Sequence, residues 1–186
     1  MKKILLMVGL LLSWNASALE VAGVQLADKV QLGTANLLLN GAGVRTKFFF
    51  KIYVGALYLP QKQTSGEVII ADEREHRMAL HILHELSSEK FSSGFNEAIR
   101  SNHTPAELAA LDAQLKQMAQ IFEAMKEIRP GDVVTLDYLP GIGTQIGVNG
   151  KTFGSVPGAA FNRALLDIWI GSKPVQEDLK KELLGG

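Results

Sequence analysis

Between residues 20 and 59 the apolar positions fall in short runs broken by glycine, which predicts strands rather than helices. Val21, Val24, Leu26, Val30 and Leu32 are spread through a segment punctuated by Gly23 and Gly33. Ala35 to Asn40 is a further apolar run, and Gly41-Ala42-Gly43 reads as a glycine-rich bend that ends it. The strongest strand signal runs from Lys47 to Leu59, is rich in aromatic and β-branched residues, and is closed by Pro60. Phe48, Phe50, Ile52, Val54, Ala56 and Tyr58 share one face of it; Phe49, Lys51, Tyr53, Gly55, Leu57 and Leu59 share the other. Both faces are largely apolar, so this strand is expected to be central and covered on both sides. Residues 61–75 are mostly polar and have room for a short helix, and Arg77 to Leu86 alternates as a strand.

Helical spacing then takes over. Ser88 to Ser101 places Phe91, Phe95, Ala98 and Ile99 on one stripe, with Ser88 as candidate cap. Thr104, Pro105 and Glu107 form a capping-box start for a second helix, whose stripe runs from Leu108 to Met125 and stops before Pro130-Gly131. Strands return over 132–156, and Asn149-Gly150 marks a tight hairpin between 144–148 and 151–156. Pro157-Gly158 opens a helix that buries Phe161, Leu165, Ile168 and Trp169, Gly171 to Pro174 breaks it, and a last amphipathic helix reaches about Leu184. This order predicts an α+β fold with a helical layer over one face of a large antiparallel sheet. No repeat or linker divides residues 19–186, so they read as one domain.

The first residues have a different pattern. Lys2-Lys3, an apolar run from Ile4 to Leu12 and Ala16-Ser17-Ala18 follow the order of a secretory signal, with cleavage expected after Ala18. The run is shorter than the roughly 20 residues that span a bilayer. Removing it takes two lysines and no acid, so the mature chain carries two more acidic than basic groups. The chain has no cysteine, which excludes disulfides and a thiol nucleophile. Export without cysteine suggests a bacterial periplasm and a soluble mature protein, with no stable membrane insertion once the signal is removed. The whole chain has 19 basic and 19 acidic groups, which gives no electrostatic reason to expect a nucleic-acid partner. Oligomeric state is not legible.

Candidate chemistry is sparse. His81 and His84 are three apart on a strand and point to opposite faces, so they cannot chelate one ion together, and no metal or other cofactor is expected. Gly141-x-Gly143-x-x-x-Gly147 is off the dinucleotide fingerprint and leads into a strand, and no Gly-x-Ser-x-Gly elbow exists. Arg45 remains. From spacing alone it is either a hairpin arginine bonded to a carbonyl or a surface acid, or a buried cation that needs an anionic partner. Tyr53 could point a hydroxyl into the same space.

Gly41-Ala-Gly-Val-Arg45, the strand ending Gly-Ala-Leu-Tyr-Leu59, Ser88-Glu-Lys90, and Leu165-Leu-Asp-Ile-Trp-Ile-Gly171 followed by Lys173-Pro-Val together resemble the chalcone isomerase superfamily, in its secreted bacterial chalcone isomerase-like branch. The resemblance implies an open-faced β-sandwich with a cleft between sheet and helices. It implies that Arg45 matches the catalytic arginine of an intramolecular lyase that cyclises chalcones. Tyr53 falls where those enzymes carry a threonine, Ser87 where they carry a tyrosine, Gly94 where they carry an asparagine, and Ile168 where they carry serine or threonine. Loss of hydrogen-bond donors aimed at a transition state typically costs roughly two to three orders of magnitude each. The resemblance also reaches a branch that binds fatty acids, with the arginine and a tyrosine on the carboxylate. The reading is therefore a periplasmic protein that binds a small hydrophobic or aromatic anion, with Arg45, Tyr53 and Ser87 on the ligand. An isomerase using Arg45 and Tyr53 on an unknown substrate is the alternative.

Overall fold

The computed structural model describes residues 18–186. The expected signal segment lies outside the described residues except for its last position, Ala18, which pairs with Ala27. Strands β1 (Ala18–Val21) and β2 (Val24–Ala27) form one hairpin, and β3 (Lys29–Leu32), β4 (Ala35–Lys47) and β5 (Phe50–Leu59) follow as an antiparallel meander. Helix α1 (Gly66–Ala71), β6 (His76–Ile82) and β7 (Leu86–Ser87) precede three helices, α2 (Ser88–Asn102), α3 (Pro105–Ala110) and α4 (Asp112–Met125). The chain closes with β8 (Glu127–Ile128), β9 (Val133–Leu139), β10 (Gly143–Val148), β11 (Lys151–Val156), α5 (Ala159–Ile170) and α6 (Glu177–Leu183). Seven strands form an antiparallel sheet in the order β11-β10-β9-β6-β5-β4-β3. This is the α+β architecture the sequence predicts.

The alternation of β5 decides how the layers sit. Tyr53, Leu57 and Leu59 join the core between sheet and helices, with Phe122, Phe161 and Trp169. Val54, Ala56 and Tyr58 join a second cluster on the opposite face, with Leu26, Leu32, Leu37 and Leu39. Leu26 belongs to the β1–β2 hairpin, so the strand is covered on both sides.

Local signals were obeyed where the turn chemistry was specific. Asn149 and Gly150 both take positive φ between Val148 and Lys151, the geometry of a type I′ hairpin. Thr104 and Glu107 form the reciprocal capping box.

Five expectations need correction. Gly41 and Gly43 do not bend the chain but lie inside β4. Their missing side chains make room for α6: a Cβ at Gly41 would overlap the Glu182 carbonyl oxygen and sit 2.7 Å from that of Leu183, and one at Gly43 would overlap the Glu182 carboxylate. Asn40, buried beside them, fastens the same helix by donating to the Leu183 carbonyl at 2.8 Å. The segment from Lys47 is not one strand: Phe48 and Phe49 form a two-residue turn between Lys47 and Phe50. The strand beginning near Arg77 ends at Ile82, because the amides of Leu83 and His84 both turn to donate to the Ile52 carbonyl. Ser87, not Ser88, caps α2. The single long helix is two, separated at Leu111, where ψ is 6° and the amide reaches back to the carbonyls of Glu107 and Leu108. The second of them ends at Met125, short of the expected stop at Pro130-Gly131.

Candidate functional site

The β4–β5 hairpin places Arg45 directly opposite Tyr53. Opposed residues on antiparallel strands share a face, so both side chains project toward the helices. A register shift between Arg45 and Thr46 sets this pairing. A cavity of about 740 Å³ opens there. Its walls are Arg45, Lys47, Ile52 and Tyr53 from the hairpin, one side of α2 from Glu89 to Ser101, Ile168 and Trp169 at the end of α5, and Lys173, Pro174 and Val175 from the following loop. Phe91 and Phe95 of α2 line it and pack edge-on or tilted against each other, Phe122 and Trp169, with ring centroids 4.9–5.6 Å apart. This aromatic cluster makes one wall rigid and apolar.

Arg45 is half-buried. Its Nη1 donates to the Thr46 carbonyl at 2.5 Å and to Gln176 Oε1 at 3.3 Å. Among the described residues no carboxylate forms an ion pair with it. Gln176 also accepts from the Thr46 amide at 2.9 Å and donates to the Val44 carbonyl at 3.1 Å, which ties β4 on both sides of Arg45 to the start of α6. The close approach of α6 to Gly41 and Gly43 therefore fixes the arginine as well as the helix.

Tyr53 is buried, and its hydroxyl oxygen accepts from Trp169 Nε1 at 2.9 Å. The hydroxyl proton remains free to donate into the cavity. Burial pushes the phenol up to about 12, with the Trp169 bond and the Arg45 charge pulling the other way. Tyr53 is thus a neutral donor at physiological pH. The unfolded chain releases this proton near the ordinary value of 10.0, before the folded protein does. The contribution is complete below pH 10 and is lost as pH climbs toward 12, amounting to about 3 kcal/mol over about two pH units. Urea unfolding of wild type and Tyr53→Phe from about pH 9 to about pH 12 measures it. The difference between the two proteins is expected to shrink across this window from a constant value below it; a pH-independent difference would contradict the burial argument.

Of the positions singled out in the sequence, Arg45, Tyr53, Gly94 and Ile168 converge on one cavity. Ser87 is placed elsewhere: it is exposed, is not among the lining residues, and accepts from the Lys90 amide at 3.3 Å as a helix cap. The neighbouring Leu86 lines the cavity instead. Gly94 and Ile168 offer no side-chain donor, although Ser93, Glu97 and Ser101 of α2 also line the cavity. Gln176 and the Trp169–Tyr53 bond escaped the sequence reading. Trp169 was expected in the core, but nothing in the residue pattern pairs it with Tyr53, and a neutral glutamine at a helix start carries no signal. The lining is positive on balance, with Arg45, Lys47, Lys90 and Lys173 against Glu89 and Glu97. Among the described residues no group of three His, Asp or Glu side chains converges to hold a metal. A half-buried fixed cation, a phenol donor and aromatic walls can hold an amphipathic anion by its charged end.

A family model described as chalcone isomerase-like matches residues 18–185. Among solved structures, a fatty-acid binding protein of Arabidopsis thaliana is similar, with a TM-score of 0.66 and 15% identity over 87% of this chain and 92% of that one. A comparison with curated proteins gave no match.

Proposed function

The chain belongs to the chalcone isomerase-like family, and from that premise we propose that it is a carrier for a small hydrophobic anion of the fatty-acid type, working in the periplasm after loss of residues 1–18. The ligand's carboxylate binds Arg45, assisted by the Tyr53 hydroxyl, and its tail lies along Phe91, Phe95 and Trp169. The observation that carries this reading is the state of Arg45: a half-buried guanidinium on the wall of a largely apolar cavity, held by a carbonyl and an amide but, among the described residues, by no carboxylate. A cation removed from water is stabilised by an anion that arrives with the guest. The similar Arabidopsis protein binds fatty acid on the same fold, which supports a guest of this class. The lost donors at Gly94 and Ile168 would matter to an isomerase and are irrelevant to a binder.

The test is gentle purification followed by mass spectrometry of extracted acids. Wild type is expected to carry a long-chain or aromatic acid in near-stoichiometric amount, and Arg45→Ala is expected to lose most of it. Equal retention by both proteins would overturn the assignment of Arg45. Turnover of a chalcone by wild type but not by Arg45→Ala would replace the carrier reading with the isomerase one.

A further inference from the structure

The β4–β5 hairpin ends in the sequence Lys47-Phe48-Phe49-Phe50-Lys51. Phe48 is 84% exposed, Phe49 97% and Phe50 56%. Two-residue hairpin turns with positive φ at the first central position normally place glycine, asparagine or aspartate there. Phe48 occupies that position with φ of 56°, a conformation that is strained for a bulky side chain. The same sheet closes its β10–β11 hairpin with Asn149-Gly150, so ordinary turn chemistry is used elsewhere in this chain. At the β4–β5 tip, folding gains nothing from two bare aromatic rings. The tip is also positive: Lys47 and Lys51 are exposed and, among the described residues, in no ion pair, and residues 29–66 contain no acid.

We infer that this tip is a peripheral docking finger for an anionic phospholipid bilayer, with Phe48 and Phe49 entering the interface and Lys47 and Lys51 meeting the headgroups. Aromatic rings flanked by lysines match that surface on both counts: apolar area for the acyl boundary and positive charge for the anionic lipids. A purely apolar partner would leave the lysines without a role. The finger belongs to the hairpin that walls the cavity, since Arg45, Lys47 and Ile52 line it just behind the tip. Docking therefore sets the cavity mouth at the membrane surface. No helix among the described residues is long and apolar enough to cross a membrane.

Co-sedimentation of the full mature chain with vesicles tests this without any cavity ligand, so failure here leaves the carrier reading standing and failure of that reading leaves this one standing. The probes are vesicles of phosphatidylethanolamine with phosphatidylglycerol, and vesicles of phosphatidylcholine alone. Binding is expected to the first, to weaken with added salt, and to be much weaker to the second. Phe48→Gly with Phe49→Ser supplies good turn residues while removing the rings; the fold is expected to be at least as stable, with vesicle partitioning lowered about tenfold or more. Lys47→Glu with Lys51→Glu is expected to abolish the preference for anionic vesicles. Equal partitioning of the Gly-Ser variant and wild type would overturn the inference. So would absence of vesicle binding, whether or not wild type self-associates through these rings.

Discussion

Replacing Gly41 by alanine is expected to destabilise the protein by roughly 3 kcal/mol or more, at or above the upper end of the usual range for single substitutions. The reason is contact, not conformational freedom. The new methyl would overlap the Glu182 carbonyl oxygen and stand 2.7 Å from that of Leu183, and both obstacles are backbone. A flexible side chain could swing aside; a helix backbone can only retreat as a unit. Retreat of α6 would pull Leu179 and Leu183, both fully buried, out of the core and break the bond from Asn40 to Leu183. It would also withdraw Gln176 from Thr46 and Val44, so ligand affinity is expected to fall along with stability. Denaturant unfolding measures the first effect, and titration of the folded fraction with a long-chain acid measures the second. An alanine variant within about 0.5 kcal/mol of wild type would mean that α6 does not press on β4 as described.

Substituting Arg45 by alanine is expected to leave the fold intact and lower affinity for a long-chain carboxylate about ten- to a hundredfold. The estimate follows from hydrogen bonds to charged groups, worth about 1.5–3 kcal/mol, and the tenfold change in affinity per about 1.4 kcal/mol. Stability should change little because Arg45 forms no ion pair among the described residues. Gln176 keeps its bonds to Thr46 and Val44 without it. Isothermal titration together with thermal unfolding separates the two effects. A large loss of stability with unchanged affinity would assign Arg45 to folding instead.

These two positions also show what a sequence discloses. Features caused by neighbours along the chain were legible: Asn149-Gly150 as a turn, Thr104 with Glu107 as a capping box, and the two faces of β5 from Tyr53 onward, while Ile52 lines the cavity beside Tyr53 instead of following the alternation. Features caused by distant chain were not. Gly41 and Gly43 look like a bend because glycine usually marks one, yet their cause is a helix at the other end of the sequence. Phe48 and Phe49 look like strand interior because exposed aromatics and buried ones are written with the same letters. For the site, resemblance to the family brought in Gly94 and Ile168, and strand parity put Tyr53 on the side of Arg45, but the Phe48-Phe49 turn that sets the two residues opposite each other reads as strand. Ser87 was carried over from that resemblance at a position where its hydroxyl serves a helix terminus. Gln176, which holds the arginine in place, is visible only once α6 is laid across β4.

The claim on which the rest depends is that the Arg45 guanidinium receives the charged end of an apolar guest. Affinities of one long-chain carboxylic acid and of the primary alcohol with the same chain, each measured on wild type and on Arg45→Ala, isolate that contact from everything the tail contributes. Wild type should favour the acid strongly, and the variant should bind acid and alcohol about equally, with the alcohol's affinity nearly unchanged between the two proteins. If the variant keeps the full preference for the acid, the carboxylate is held elsewhere and the assignment of this cavity is wrong.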